Sequence, residues 1–225
     1  MFGYELYLTS GLYNYIIDSD KNKTYQQHVK ENASRLVTSN SGTALISSKL
    51  SVRNNKIGEL GLSWMGGIYN KFKKDGVIID NKRRCDVLDI NFNTTLPKLN
   101  TNITTEWAWV FVQLPNGFNE QFGKKQQAGF IDVVQPILHK KMFGWDNATL
   151  NVAIRGEYAD WNVARFTSTG KNIADDLWSI MPAISFRPNA ETVLRLNYRY
   201  RKQRDLIGNP PATTNGFSFG ISSYF

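Results

Sequence analysis

Along nearly its whole length the chain alternates apolar and polar side chains at a period of two. A helix of 3.6 residues per turn cannot use that pattern, and a strand with one apolar face requires it. The clearest instance runs from Thr192 to Leu206: Leu194, Leu196, Tyr198 and Tyr200 share one face, and Arg195, Asn197, Arg199 and Arg201 the other. Phe217, Phe219, Ile221 and Phe225 likewise oppose Gly216, Ser218, Gly220 and Ser222. Leu150, Val152, Ile154 and Tyr158 oppose Asn151, Ala153, Arg155 and Glu157, and Phe2, Tyr4, Leu6 and Leu8 oppose Gly3, Glu5, Tyr7 and Thr9. The pattern predicts about ten strands, over 2–12, 44–53, 58–68, 85–96, 103–113, 127–137, 149–161, 177–187, 192–206 and 214–225. Each is near the roughly 9 to 11 residues of a tilted membrane strand. Alternation is weakest at 127–137 and 177–187, which hold Pro136 and Pro182, residues that cannot donate to a ladder.

The intervening connections alternate in length as well. Short ones are expected at 54–57, 97–102 and 188–191, and longer ones at 13–43, 69–84, 114–126 and 162–176, as in an up-and-down barrel with turns at one end and loops at the other. The connection over 138–148 breaks that alternation. With the short turns periplasmic, Lys21, Lys23, Lys73, Lys74 and Lys171 lie outside the cell.

Such a sheet could close around an oily interior in water, or around a polar interior in lipid. The mean hydropathy is −0.38, and no run approaches the roughly 18 to 20 apolar residues of a spanning helix. A transmembrane barrel escapes that criterion, because only alternate residues face lipid. Trp64, Trp107, Trp109, Trp178, Tyr198 and Tyr200 all fall on the oily face, several near strand ends where interfacial aromatic girdles belong. A small barrel could hardly hold so many rings inside. The membrane barrel is therefore favoured, and a soluble or periplasmic β-barrel carrier of a small apolar ligand is the alternative.

Chemistry elsewhere is sparse. The one cysteine, Cys85, excludes a disulfide framework, and with only His28 and His139 beside it no metal site or other cofactor is expected. Neither histidine is placed on a strand beside a serine, so no activated nucleophile and no enzyme is foreseen. Cys85 is expected as a small apolar filler. The connection from Tyr13 to Thr43, with a short helix conceivable over 26–35, is expected as a surface loop in preference to an inward constriction. Gly208-Asn209-Pro210-Pro211 is expected as a tight loop.

The last third reads Pro182-Ala183-Ile184-Ser185-Phe186-Arg187-Pro188, then Thr192-Val193-Leu194-Arg195-Leu196-Asn197-Tyr198-Arg199-Tyr200, and ends Gly216-Phe217-Ser218-Phe219-Gly220-Ile221-Ser222-Ser223-Tyr224-Phe225. These segments resemble the closing hairpins of bacterial outer-membrane porins of the phosphate-selective O and P type. Gly156-Glu157-Tyr158-Ala159-Asp160 and Thr105-Glu106-Trp107-Ala108-Trp109-Val110 are similar to strands of the same family. The resemblance implies a Gram-negative outer-membrane porin: a typically trimeric barrel of about sixteen strands, passing small polar or anionic solutes, phosphate among them. Phe225, with Phe217 and Phe219 before it, resembles the signal read by the outer-membrane assembly machinery, although Ser223 stands where an apolar residue is usual.

The expected fold is thus all-β, an antiparallel up-and-down transmembrane β-barrel with about ten strands in this chain, forming one domain over 1–225. The chain is expected to be the C-terminal portion of a longer porin of about sixteen strands. An open sheet edge in hydrocarbon leaves amides and carbonyls without partners, at several kcal/mol each, and a closed barrel of ten strands would be narrow and filled by side chains. The expected partners are the lipid bilayer and lipopolysaccharide, the assembly machinery, small solutes, and two further copies in a homotrimer.

The net charge of +8 would suggest nucleic acid for a soluble protein. Here it is assigned to a lumen instead, and no nucleic acid is expected. Lys49, Arg53, Arg155, Arg195, Arg199 and Arg201 share the lumen parity with the acids Glu5, Glu59, Asp89, Glu106, Asp132, Glu157 and Asp160. Arginines two apart rise along one wall at about 6.6–7 Å per step. They can serve as successive weak anion sites or simply pair with the acids across strands; the two readings are evenly balanced.

Overall fold

The computed structural model describes residues 1–10, 43–70, 72–115, 122–205 and 210–224. Among these residues there are strands and no helix. The strands are β1 (Phe2–Ser10), β2 (Ala44–Asn54), β3 (Gly58–Ile68), β4 (Lys73–Lys74), β5 (Val77–Ile78), β6 (Arg84–Leu96), β7 (Thr101–Val112), β8 (Lys125–Met142), β9 (Trp145–Asp160), β10 (Asp176–Arg187), β11 (Thr192–Gln203) and β12 (Ala212–Ser223). All but β4 and β5 form one 10-stranded antiparallel sheet in which every strand lies beside its neighbours in sequence. The pair β4–β5 is a separate small hairpin turning at Asp75-Gly76, both at positive φ, as a two-residue hairpin turn demands.

The structure corrects the expected connection over 138–148. Strands β8 and β9 run on through most of it and are joined by Phe143 and Gly144 alone, at φ of 52° and 86°. The register slips between Pro136 and Leu138 and again between Lys140 and Met142, and each bulge reverses which parity faces which side. Alternation was lost there because of these bulges, not because the strand ended. His139 accordingly lies on β8, its Nδ1 2.8 Å from Thr149 Oγ1 on β9. With this hairpin in place, short connections at 55–57, 97–100, 143–144 and 188–191 alternate without exception with longer ones at 11–43, 69–83, 113–124, 161–175 and 204–211. Pro182 stays in β10 opposite Ile154 on β9. On the β11 side the pairing passes from Ile180↔Tyr200 to Ala183↔Asn197, as a residue without an N–H requires.

Register carries two uninterrupted faces across the sheet. One row runs Tyr4, Leu50, Leu62, Ile90, Trp107, Gly129, Tyr158, Trp178. Its counterpart on the other face runs Glu5, Lys49, Ser63, Asp89, Ala108, Ala128, Ala159, Leu177, Gln203. This second row starts mid-strand in β1 and leaves at the last residue of β11, the stagger that tilted strands produce.

The apolar face is open: Phe217 is 77 %, Leu62 53 %, Leu196 49 % and Ile154 44 % exposed. The shielded strand residues Cys85, Val112, Gln126, Asn151, Ser179 and Val193 carry the polar parity, with Gly66, Thr101 and Ala148 among the exceptions. Strands β1 and β12 are the two edges, and no pairing joins them among the described residues.

The 26–35 segment, His28, Lys21, Lys23 and Phe225, with most of the Tyr13–Thr43 connection and Gly208-Asn209, lie outside the described residues.

Candidate functional site

One face of the sheet gathers the eight pore-lining candidates singled out from the sequence. Lys49 and Arg53 come from β2, Glu106 from β7, Arg155 and Glu157 from β9, and Arg195, Arg199 and Arg201 from β11. Their shared parity is fixed by the ladder, since a slip of one residue would turn a whole strand over. Phe217 and Phe219 project from the opposite face of β12, exposed.

The charges form pairs across strands. Arg155 forks onto Asp132 on β8, with Nε donating to Oδ1 at 2.6 Å and Nη2 to Oδ2. Its Nη1 lies 3.5 Å from Glu157 Oε1. Glu157 also accepts from Ser179 Oγ at 2.7 Å and from Arg199 Nη2 at 2.5 Å. The small Ser179 on β10 lets a side chain of β9 reach one of β11. Arg53 meets Glu59 at 2.6 Å near the short-turn end, and Arg201 donates to Gln203 at 2.5 Å. The arginines differ in their pairing: Arg155, Arg199 and Arg53 are ion-paired, while Arg195 is exposed with no ion pair among the described residues. Beside it β12 presents Gly216, Ser218 and Gly220, and a Cβ built on either glycine would meet nothing within 4 Å. These partly solvated pairs each contribute on the order of 1 kcal/mol or less to stability, so their larger effect is on the local potential.

One interior acid is corrected. Asp160 pairs with Gln127 and Asp176, in the row that contains Trp109, and so lies on the apolar side at the long-connection rim. It is the last residue of its strand. There its Oδ1 accepts from the Asn162 amide at 2.9 Å, and neighbouring Asp176 is held by Arg204 Nε at 2.7 Å.

On the apolar face, rings gather toward the two ends of the strands. Trp107 stacks on Tyr158 at 5.9 Å and 12°, and Trp178 lies 5.5 Å from Tyr200, toward the long-connection end. Phe143 meets Phe186 edge-on at 5.7 Å at the short-turn end. Eight residues separate Trp178 from Phe186 along β10, about 26 Å at 3.3 Å per residue.

The sequence did not foretell a packed cluster at the long-connection end of the polar face. Tyr69, Cys85, Val112 and Leu114 bury one another, Tyr69 and Cys85 to 1 % and 3 % exposure. The Tyr69 hydroxyl donates to the Gln113 carbonyl at 2.5 Å, and burial pushes its pKa far above the usual phenol range, keeping it neutral. Cys85 is the small filler expected. A signal was available, in that Tyr69 and Leu114 continue the polar-face parity of β3 and β7 beyond their ends with large apolar residues.

No protein-family model, curated protein or solved structure matches the chain.

Proposed function

We propose that the chain is the greater part of an outer-membrane porin, a transmembrane β-barrel whose polar face lines a water-filled passage for small polar or anionic solutes, phosphate among them. The observation that carries this reading is that large apolar side chains stand exposed along one face of strands paired on both sides, Leu50, Leu62, Ile131, Ile154, Ile180 and Leu196 among them, while most of the buried strand residues lie on the other face. Soluble monomers rarely show apolar patches beyond about 300–600 Å², whereas hydrocarbon demands a continuous apolar band with aromatic rings at its borders. The soluble carrier requires the apolar row to converge inward, and the exposure of Leu62, Ile154 and Leu196 on strands paired on both sides weighs against it.

The free edges of β1 and β12 cannot lie in lipid, since each unpaired backbone group would cost several kcal/mol there. Further strands, bringing the total to about sixteen, satisfy both, and three such barrels form the trimer. Lipid and lipopolysaccharide cover the outer face, and the assembly machinery reads the C-terminal strand with Phe217, Phe219 and Phe225. The chain carries out no catalysis.

Reconstitution of the complete barrel, with its further strands, into planar bilayers tests the reading: stepwise currents with anion over cation preference are expected, and a detergent-free soluble monomer without current would overturn it. Glu157→Gln is expected to raise the anion over cation permeability ratio, because Arg155 and Arg199 lose a shared counter-charge. The reversal potential in a salt gradient reads this, and a shift toward cations would contradict the assignment.

A further inference from the structure

The β8–β9 hairpin overshoots its neighbours at the short-turn end. Strand β8 pairs with β7 only as far as Val134, and β9 with β10 only as far as Thr149, so 135–142 and 145–148 run on with no strand beside them but each other. The slip at Pro136 puts Leu138 and Lys140 in file with Leu150 and Ala148, on the apolar side, and beyond the second slip Met142 faces Trp145. Straight strand over 145–150 would carry the turn about 16 Å past the level of Leu150 and its partner Phe186. Phe143 of the turn nevertheless meets the Phe186 ring edge-on at 5.7 Å, so the hairpin leans over the apolar side of β10. Ala148, in the same file, is fully shielded.

The tip carries rings and cations together. Phe143 is 88 % exposed at a φ of 52°, a left-handed backbone that a bulky side chain rarely adopts, and Trp145 is exposed beside it. Gln135 ties the adjoining 97–100 turn to the hairpin: its Nε2 donates to the Leu99 carbonyl at 2.9 Å, and its Oε1 accepts from Thr101 Oγ1 at 2.5 Å. That turn adds Lys98 and Leu99, both exposed. Lys141 is paired with Asp146 at 2.6 Å, whereas Lys98 and Lys140 are exposed with no ion pair among the described residues.

Resting on the porin reading, we propose that the β8–β9 hairpin is a foot that binds the headgroups of anionic phospholipids in the leaflet at the short-turn end. Phe143 and Trp145 seat beside the glycerol and upper acyl chains, continuing the lipid-facing file of Leu138, Leu150 and Phe186. Lys98 and Lys140 meet the phosphates, Lys140 by extending its flexible stem from the apolar side. The boundary between hydrocarbon and water is the medium that solvates rings and ammonium groups side by side. A hairpin standing upright in water would leave both rings uncovered, and leaning over β10 lays them along the leaflet.

The complete barrel, with its further strands, is reconstituted into vesicles of phosphatidylcholine and phosphatidylglycerol. In a Cys85→Ser background an environment-sensitive fluorophore is attached through Phe143→Cys, through Leu196→Cys on the apolar side of β11, or through Asn55→Cys in the β2–β3 turn. Phosphatidylglycerol spin-labelled at its headgroup is expected to quench the label at position 143 more than spin-labelled phosphatidylcholine does, and to spare the label at position 55, which aqueous iodide quenches instead. Lys98→Gln/Lys140→Gln is expected to lower the preference for phosphatidylglycerol at least about threefold, since each lysine near an anionic surface strengthens binding several-fold. Without labels, the wild-type chain is expected to co-purify with phosphatidylglycerol, and Phe143→Gly, whose backbone suits the positive φ, to retain less. Iodide quenching at position 143 equal to that at 55, shielding of 143 from both lipid and iodide, or a preference unmoved by the lysine variant would overturn the foot. Lipid quenching at position 196 without any at 143 removes the foot alone, and its absence at 196 removes the porin reading.

Discussion

Leu196→Arg is expected to destabilise the folded chain in lipid by ~2–4 kcal/mol, the cost of a cation at mid-depth on a lipid-facing barrel position. Leu196 sits near the middle of β11, between Ile184 and Phe219 on the flanking strands, and is half exposed. Asn197→Arg, one residue along, is expected to change stability by no more than about 0.5 kcal/mol. Its side chain leaves the other face, where Arg195 and Arg199 already stand. Denaturant titration of both variants in lipid vesicles measures the difference. Equal costs would mean that the two faces do not meet different solvents, and a larger cost for Asn197→Arg would invert the account.

Gly129→Leu is expected to cost about 1–3 kcal/mol, the usual range for overpacking. A Cβ at this position would fall 2.3 Å from Trp107 Cε3 and 2.7 Å from the Glu106 carbonyl oxygen. The ring could swing away, but the carbonyl belongs to the ladder and cannot. Gly129 stands between Trp107 and Tyr158 in one register row, and its missing side chain is what lets those rings stack across a strand. The tryptophan fluorescence change on unfolding should shift together with the midpoint. Gly216→Ala is the control: a Cβ there meets nothing within 4 Å, so its effect should stay within about 0.5 kcal/mol. A neutral Gly129→Leu would show that the stack contributes nothing.

Much of the sheet was legible because a period of two is a geometric property of a strand with two unlike faces. Leu194 to Arg201 and Phe217 to Ser222 needed nothing beyond their own neighbours to be assigned. The β8–β9 hairpin was not legible, since bulges at Pro136 and Lys140 shift the parity, and its turn is Phe143-Gly144 instead of the Asn-Gly that such a backbone favours. The local reading of His139 failed with it. Asp160 was misassigned because an inward parity was given to a residue at a strand's end, where a polar side chain on the outer face reaches the loops. The eight positions singled out do share one face of the sheet. Their pairing was not: that Glu157 joins Arg199 across Ser179, while Arg195 is left over, depends on side-chain size on the strand between, which no single strand records. The packed cluster was hidden for a related reason, because Tyr69 and Leu114 are distant in sequence and meet only after β6 and β7 pair.

The assignment of the two faces to hydrocarbon and to water is tested most directly by a spin-label scan along residues 194–201 in lipid vesicles, reading collisions with oxygen, which partitions into lipid, and with a water-soluble nickel chelate. The account predicts oxygen maxima at Leu194, Leu196, Tyr198 and Tyr200, with chelate maxima at Arg195, Asn197, Arg199 and Arg201. Chelate maxima at the first set, or no oxygen periodicity at all, would contradict it.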